Sequence, residues 1–189
     1  MTKVIAGATV SLDGFVQDAA GSSAALYADF DELTRNGYMQ SLQDETGAVL
    51  MGRRTYDGAE DPDRYADEYE FQVPIFVVTH RPPPVPPRHN ERLSFTFVTD
   101  GVEAAVQRAV AAAGERDVTV VGGASLFRQL MAAGLVDELS VDVMPVLLGG
   151  GLRLFDGDPA ATLEKVGVEE FGVRTCLRYR VVPADEAAA

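Results

Sequence analysis

The stretch from Val120 to Phe127, Val-Val-Gly-Gly-Ala-Ser-Leu-Phe, constrains this chain more than any other. A β-branched run, Asp117 to Val121, meets two glycines and passes at once into helical spacing. Leu126, Phe127, Leu130 and Met131 recur three and four apart, and Gly134 closes the segment. The first amides of such a helix have no partner inside it, and its dipole is positive at that end. Glycines there let a phosphate approach the backbone, so Gly122 and Gly123 read as a seat for the phosphates of a nucleotide. A glycine pair also serves simply as a tight strand-to-helix turn, and the segment alone leaves both readings open.

The same grammar recurs along the chain. Lys3 to Ser11 reads as a buried first strand, and Leu12 to Ser23, with Asp13-Gly14 and Gly21-Ser22-Ser23, as a loop. Phe30, Leu33, Tyr38 and Leu42 predict a helix over 29–42, interrupted by Gly37. Ala48 to Met51 is a short buried strand that runs into Gly52 and a helix start. The acidic stretch 57–70 has no clear period and reads as a solvated loop. Pro74 to Thr79 and Ser94 to Thr99 are strands joined by a proline-rich connection, which reads as a rigid surface link rather than a ligand for a proline-reading partner. Val102 to Ala113 is an amphipathic helix ending at Gly114. Leu139 to Val146, then about 164–171 and 174–182, complete the strands. Strands alternate with helices until the final hairpin. That order predicts an α/β fold with a mostly parallel central sheet, helices on both faces and a C-terminal antiparallel hairpin. One domain over 1–183 and a frayed tail over 184–189 are expected.

Composition narrows the partners. With 29 acidic and 16 basic residues the net charge is -13, which argues against nucleic acid or an anionic membrane as partner. The one cysteine, Cys176, cannot form an internal disulfide; with no signal-peptide pattern this predicts a cytoplasmic protein. His80, His89 and Cys176 give no metal-ligand spacing, so no metal site is expected.

Three further segments carry chemistry at strand ends, where ligands bind in open parallel sheets. In Gly52-Arg53-Arg54-Thr55-Tyr56, Gly52 gives room, Thr55 supplies a hydroxyl and two guanidinium forks match phosphate oxygens. In Thr79-His80-Arg81 a hydroxyl, an imidazole and a guanidinium leave a strand together, a set suited to the 2′-phosphate of NADP. Ser11-Leu12-Asp13-Gly14 follows the first strand and has turn chemistry.

Taken in order, these motifs resemble the dihydrofolate reductase-like family. The branch containing the C-terminal reductase domain of the riboflavin-biosynthesis deaminase-reductase is nearest, and the resemblance spans roughly Lys3 to Val182. It implies NADPH as cofactor. Gly52, Arg53, Arg54 and Thr55 would contact phosphates, and Thr79, His80 and Arg81 would line the 2′-phosphate end. Gly122, Gly123, Ala124, Ser125 and Leu126 would cover the pyrophosphate, with Gly14 near the nicotinamide. A carboxylate, Asp13 or Asp29, would orient the substrate or assist proton delivery, with Asp31 and Glu32 as rivals to Asp29. The implied activity is hydride transfer from NADPH to a small heterocycle of pteridine or aminopyrimidine type. The alternative is a non-catalytic NADP(H)-binding protein of the same fold. The late strands near the sheet edge, together with the resemblance, predict a homodimer.

Overall fold

A computed structural model describes residues 1–35, 37–59, 61–157 and 160–183. The predicted tail, 184–189, lies outside the described residues, as does Asn36 in the middle of the predicted first helix.

Apolar strands buried on both faces make the centre of the protein. β1 (Val4–Ser11), β3 (Thr46–Gly52), β4 (Ile75–Val78), β5 (Phe95–Val98), β6 (Asp117–Val120) and β7 (Glu138–Met144) run parallel in the order β5-β4-β3-β6-β1-β7. The sheet continues antiparallel through β10 (Arg174–Val182) to β9 (Thr162–Phe171) at the edge. A separate ribbon pairs β2 (Phe15–Gln17) with β8 (Leu152–Arg153). The first loop therefore holds a short strand, because Phe15 is buried and Phe15 and Gln17 find partners far along the chain.

Period-two alternation divides the core. Val4, Ala6, Val10, Ala48, Leu50, Phe76, Val118 and Val120 pack against α5 (Val102–Ala113) and α6 (Ala124–Ala132) on one face. Val49, Met51, Ile75 and Val77 pack on the other against α3 (Arg53–Asp57) and α4 (Tyr65–Glu68). Gly47 lets the sheet and a helix meet. A Cβ there would stand 2.2 Å from the carbonyl oxygen of Ala113, at the end of α5.

Two expectations change on folding. The helix predicted over 29–42 is two helices, α1 (Phe30–Arg35) and α2 (Tyr38–Glu45), because Gly37 takes a left-handed conformation at φ 81°. The acidic stretch 57–70 is not simply a solvated loop. Tyr65 is buried, its ring centroid 5.4 Å from that of Phe95 and 6.2 Å from that of Tyr56, and burial pushes its phenol up to about 12. The aromatic residues Tyr65, Tyr69 and Phe71 fold inward while the carboxylates between them stay exposed.

Replacing Gly47 by Ala is expected to destabilise the protein by about 3 kcal/mol, the upper range for overpacking, because the obstacle is backbone and cannot rotate away. Thermal unfolding followed by circular dichroism should show a Tm lowered by roughly 6–12 °C.

Candidate active site

The carboxyl ends of the parallel strands open into one groove of about 920 Å³, near the upper limit of ordinary ligand pockets. Its floor is set where β3 and β6 leave the sheet. The Gly52 amide donates to the Gly122 carbonyl at 3.2 Å. A Cβ on Gly123 would stand 3.6 Å from the Gly52 Cα, and one on Gly122 would stand 3.3 Å from Thr55 Oγ1. Gly122 and Gly123 hold φ values of 127° and 86°, a region that strains any other residue. These glycines make the turn, and they leave the start of α6 without a capping side chain. No side chain caps that start, so its first amides face the groove as hydrogen-bond donors.

Twelve of the expected cofactor residues line the groove together: Gly52, Arg53, Arg54, Thr55, Thr79, His80, Arg81, Gly122, Gly123, Ala124, Ser125 and Leu126. Within this group Arg53 is already engaged. Its Nε meets Asp57 at 2.7 Å and its Nη1 donates to the Arg81 carbonyl at 2.6 Å, which ties α3 to the exit of β4. Thr79 Oγ1 accepts from the Arg81 amide at 3.2 Å and shapes the same turn. The Arg54 and Arg81 guanidiniums form no ion pair among the described residues. Thr99, Gly101 and Val102 at the exit of β5, and Arg128 on α6, also line the groove. The sequence signals the first three, since Thr99-Asp100-Gly101 repeats the pattern of a strand end followed by glycine; nothing local marks Arg128.

The other three expected residues do not line the groove. Gly14 sits in the turn at φ 86°, where a Cβ would meet Arg153 Nη1 at 3.6 Å. Asp13 staples two loops. Its carboxylate accepts from Ser11 Oγ at 2.6 Å and from the amides of Leu148 and Gly149 at 3.1 and 2.7 Å. Those hydrogen bonds lower its pKa to about 2. A carboxylate so held is a poor proton donor near neutral pH.

Asp29 is likewise committed, to a residue far along the chain. Arg174, 1% exposed, donates its Nε and Nη2 to the two oxygens of Asp29 at 2.7 and 2.8 Å. Its Nη1 reaches Thr9 Oγ1 at 3.0 Å and Asp142 at 3.2 Å, and its Nη2 reaches the Leu26 carbonyl at 2.9 Å. All five donors of the guanidinium are used. Tyr38 donates to Asp142, and burial together with that carboxylate pushes both the Tyr38 phenol and the Cys176 thiol well up. Arg174 lies 5.6 Å from the ring centroid of Tyr27, which borders the groove beside Thr9 and Ser23. The cluster fixes the 3-10 turn Ala24–Tyr27 against β1, β7 and β10.

The family model described as RibD C-terminal domain matches residues 2–177. The chain belongs to the RibD C-terminal domain family. Its relatives include the uncharacterized YwjB of Bacillus subtilis, 29% identical over 179 residues that cover 94% of this chain and 97% of YwjB. A diaminohydroxyphosphoribosylaminopyrimidine deaminase/5-amino-6-(5-phosphoribosylamino)uracil reductase from Thermotoga maritima has a similar structure, with a TM-score of 0.66 at 14% identity. That match covers 96% of this chain and 57% of that one. Dihydrofolate reductase from Enterococcus faecalis, complexed with NADP(H), matches with a TM-score of 0.58 at 15% identity over 96% of this chain and 97% of its own. The fold is thus the dihydrofolate reductase-like one. Across the described residues no helix is long and apolar enough to cross a membrane.

Arg174→Met should destabilise the protein by about 3–5 kcal/mol at pH 7, because it leaves two carboxylates without their guanidinium. The pH dependence carries the same signature. Hydrogen bonds from Arg174 hold Asp29 below the usual carboxylate range. The stability it contributes is therefore present above about pH 4, its unfolded pKa, and is lost as pH falls toward the folded value. Urea unfolding between pH 7 and pH 3 should show a steeper acid loss in the parent than in Arg174→Met.

Proposed function

We propose that the protein is an NADPH-dependent reductase acting on a small heterocyclic substrate of pteridine or aminopyrimidine type. The observation that carries this reading is the continuity of one groove. It joins an uncapped helix start at Gly123-Ala124, the guanidiniums of Arg53, Arg54 and Arg81 with the His80 imidazole, and an apolar end at Val16, Tyr27 and Leu152. On an acidic chain, four arginines lining one groove, Arg53, Arg54, Arg81 and Arg128, suit it to meet an anion there.

In this reading the first amides of α6 and the Thr55 hydroxyl hold the pyrophosphate. Arg54, His80 and Arg81 meet the 2′-phosphate, while Arg53 braces the loop that carries Arg81. The glycines at 122 and 123 fit the group, since side chains there would intrude on the space between Gly52, Thr55 and the helix start. NADPH, when bound, supplies the hydride. The protein's part is to hold the substrate ring against the cofactor and to limit its orientations. Asp13 and Asp29 act through structure, one stapling loops and the other anchoring the turn of Tyr27. No carboxylate is among the described lining residues. The same observation supports the second reading, a non-catalytic NADP(H)-binding protein. NADPH oxidation across a panel of dihydropterins, ribosylaminopyrimidines and small ketones separates the two readings. The single cysteine agrees with a reducing, cytoplasmic setting.

We also propose a homodimer formed along β9. The sequence pointed to Leu139–Val146 and Arg174–Val182, but β7 and β10 are interior strands; the edge on their side of the sheet is β9. Its ten residues leave Leu163, Val166 and Val168 40–54% exposed, an edge that invites pairing. Light scattering at micromolar concentration should give about twice the chain mass of 20.2 kDa. A monomer mass would overturn it.

Cofactor choice is the direct test of the main reading. Arg81→Ala should weaken NADPH about tenfold or more, since a charge-assisted phosphate contact contributes about 1.5–3 kcal/mol, and should leave NADH within threefold. Calorimetric titration with both cofactors reads this. Equal affinity of the parent for NADPH and NADH would show that these cations do not select the 2′-phosphate.

A further inference from the structure

The charges around the groove are divided between its two halves. Arg53 and Arg54 lie on α3, His80 and Arg81 leave β4, and Arg128 is on α6. The wall made by β1, β2, the 3-10 turn Ala24–Tyr27 and β8 contributes Thr9, Val16, Gln17, Ser23, Tyr27 and Leu152, none of them charged. The positions outside the described residues include no Lys, Arg or His, so all 16 basic residues of the chain are placed.

Two cations stand behind this uncharged wall, and neither is among the residues that line the groove. Arg153 lies 4.3 Å from the ring centroid of Phe15 and donates to the Asp13 carbonyl at 3.1 Å. Arg174 spends every N–H on Asp29, Asp142, Thr9 and the Leu26 carbonyl. Against that one guanidinium stand two buried carboxylates, and Asp142 Oδ1 has no hydrogen-bond partner. A ligand phosphate at this end would meet no cation among the lining residues.

What the wall does offer is neutral. Tyr27 presents an aromatic ring braced by the Arg174 guanidinium. Thr9 Oγ1 accepts from Arg174, which leaves its own hydroxyl proton to donate, and Gln17 and Ser23 add neutral donors and acceptors. We propose that this half of the groove takes an uncharged planar ring with carbonyl or amino edges, stacked on Tyr27, and rejects a phosphorylated form of the same ring. The proposal rests on the reading of the other half as the cofactor site. It separates this chain from a reductase whose substrate carries a phosphoribosyl group, such as the Thermotoga maritima relative.

The test is direct binding of a matched pair, an aminopyrimidine riboside and its 5′-phosphate, with a dihydropterin as a second uncharged ring. Calorimetry is run on the protein with and without saturating NADP+. Failure of NADP+ to bind tells against the cofactor reading and leaves the comparison of the pair intact. At least one uncharged ring should bind with a Kd below about 1 mM, and the phosphate should weaken the riboside about tenfold or more. Tyr27→Ala should weaken the uncharged ring about tenfold, the size of a lost stacking contact, with NADP+ affinity within threefold. Gln17→Arg, which places a cation in the wall, should improve the phosphorylated member about tenfold. Binding of the 5′-phosphate as tight as that of the riboside in the parent protein overturns the proposal, and so does failure of both uncharged rings to bind.

Discussion

The meeting of two strand exits at Gly52 and Gly122-Gly123 is the constraint on which the groove depends. The Gly122 carbonyl is tied to the Gly52 amide, and Thr55 Oγ1 would lie 3.3 Å from any Cβ on Gly122. Backbones this close exclude side chains from the floor, and positive φ values at both glycines turn the chain into α6 without a capping side chain. The bare helix start and the Arg53-Arg54-Thr55 turn of α3 therefore face the same space. The positive lining of the groove comes from backbone geometry first and from the arginines second.

A second constraint organises the opposite end. Arg174 lies on the strand next to the sheet edge and reaches carboxylates on the segment before α1 and on β7. Burying a guanidinium is costly unless its donors are all met, and here they are. The cluster holds Tyr27 and Thr9 in place. Asp13 does comparable work at the neighbouring loop, bonding amides that lie 135 and 136 residues further on. Both carboxylates that the sequence offered for proton transfer are thus held by hydrogen bonds to residues far along the chain.

The protein consequently separates two electrostatic tasks within one groove. A chain of net charge -13 places Arg54, His80 and Arg81 along one half and keeps the other neutral at its surface. Long-range repulsion of anions by the acidic surface is overcome only where oriented amides and guanidiniums act at short range. One half is lined by guanidiniums and a bare helix start, the other by uncharged side chains.

What the sequence by itself determined are features that depend on chain neighbours. Buried strands, the helices over 102–113 and 124–132, the final hairpin and the strand-end motifs were legible, because period, turn chemistry and bare helix amides are local properties. Twelve of the expected cofactor residues line one groove for the same reason: parallel strands bring all their carboxyl ends to one side. The tertiary structure alone decided which charges are free. Asp29 looks like an available carboxylate until Arg174, 145 residues away, takes both its oxygens. Tyr65 looks solvated among acids until it packs against Phe95. β10 looks like an edge until β9 pairs outside it. Burial, pairing and edge position depend on what lies across the fold, and no window of sequence contains that neighbour.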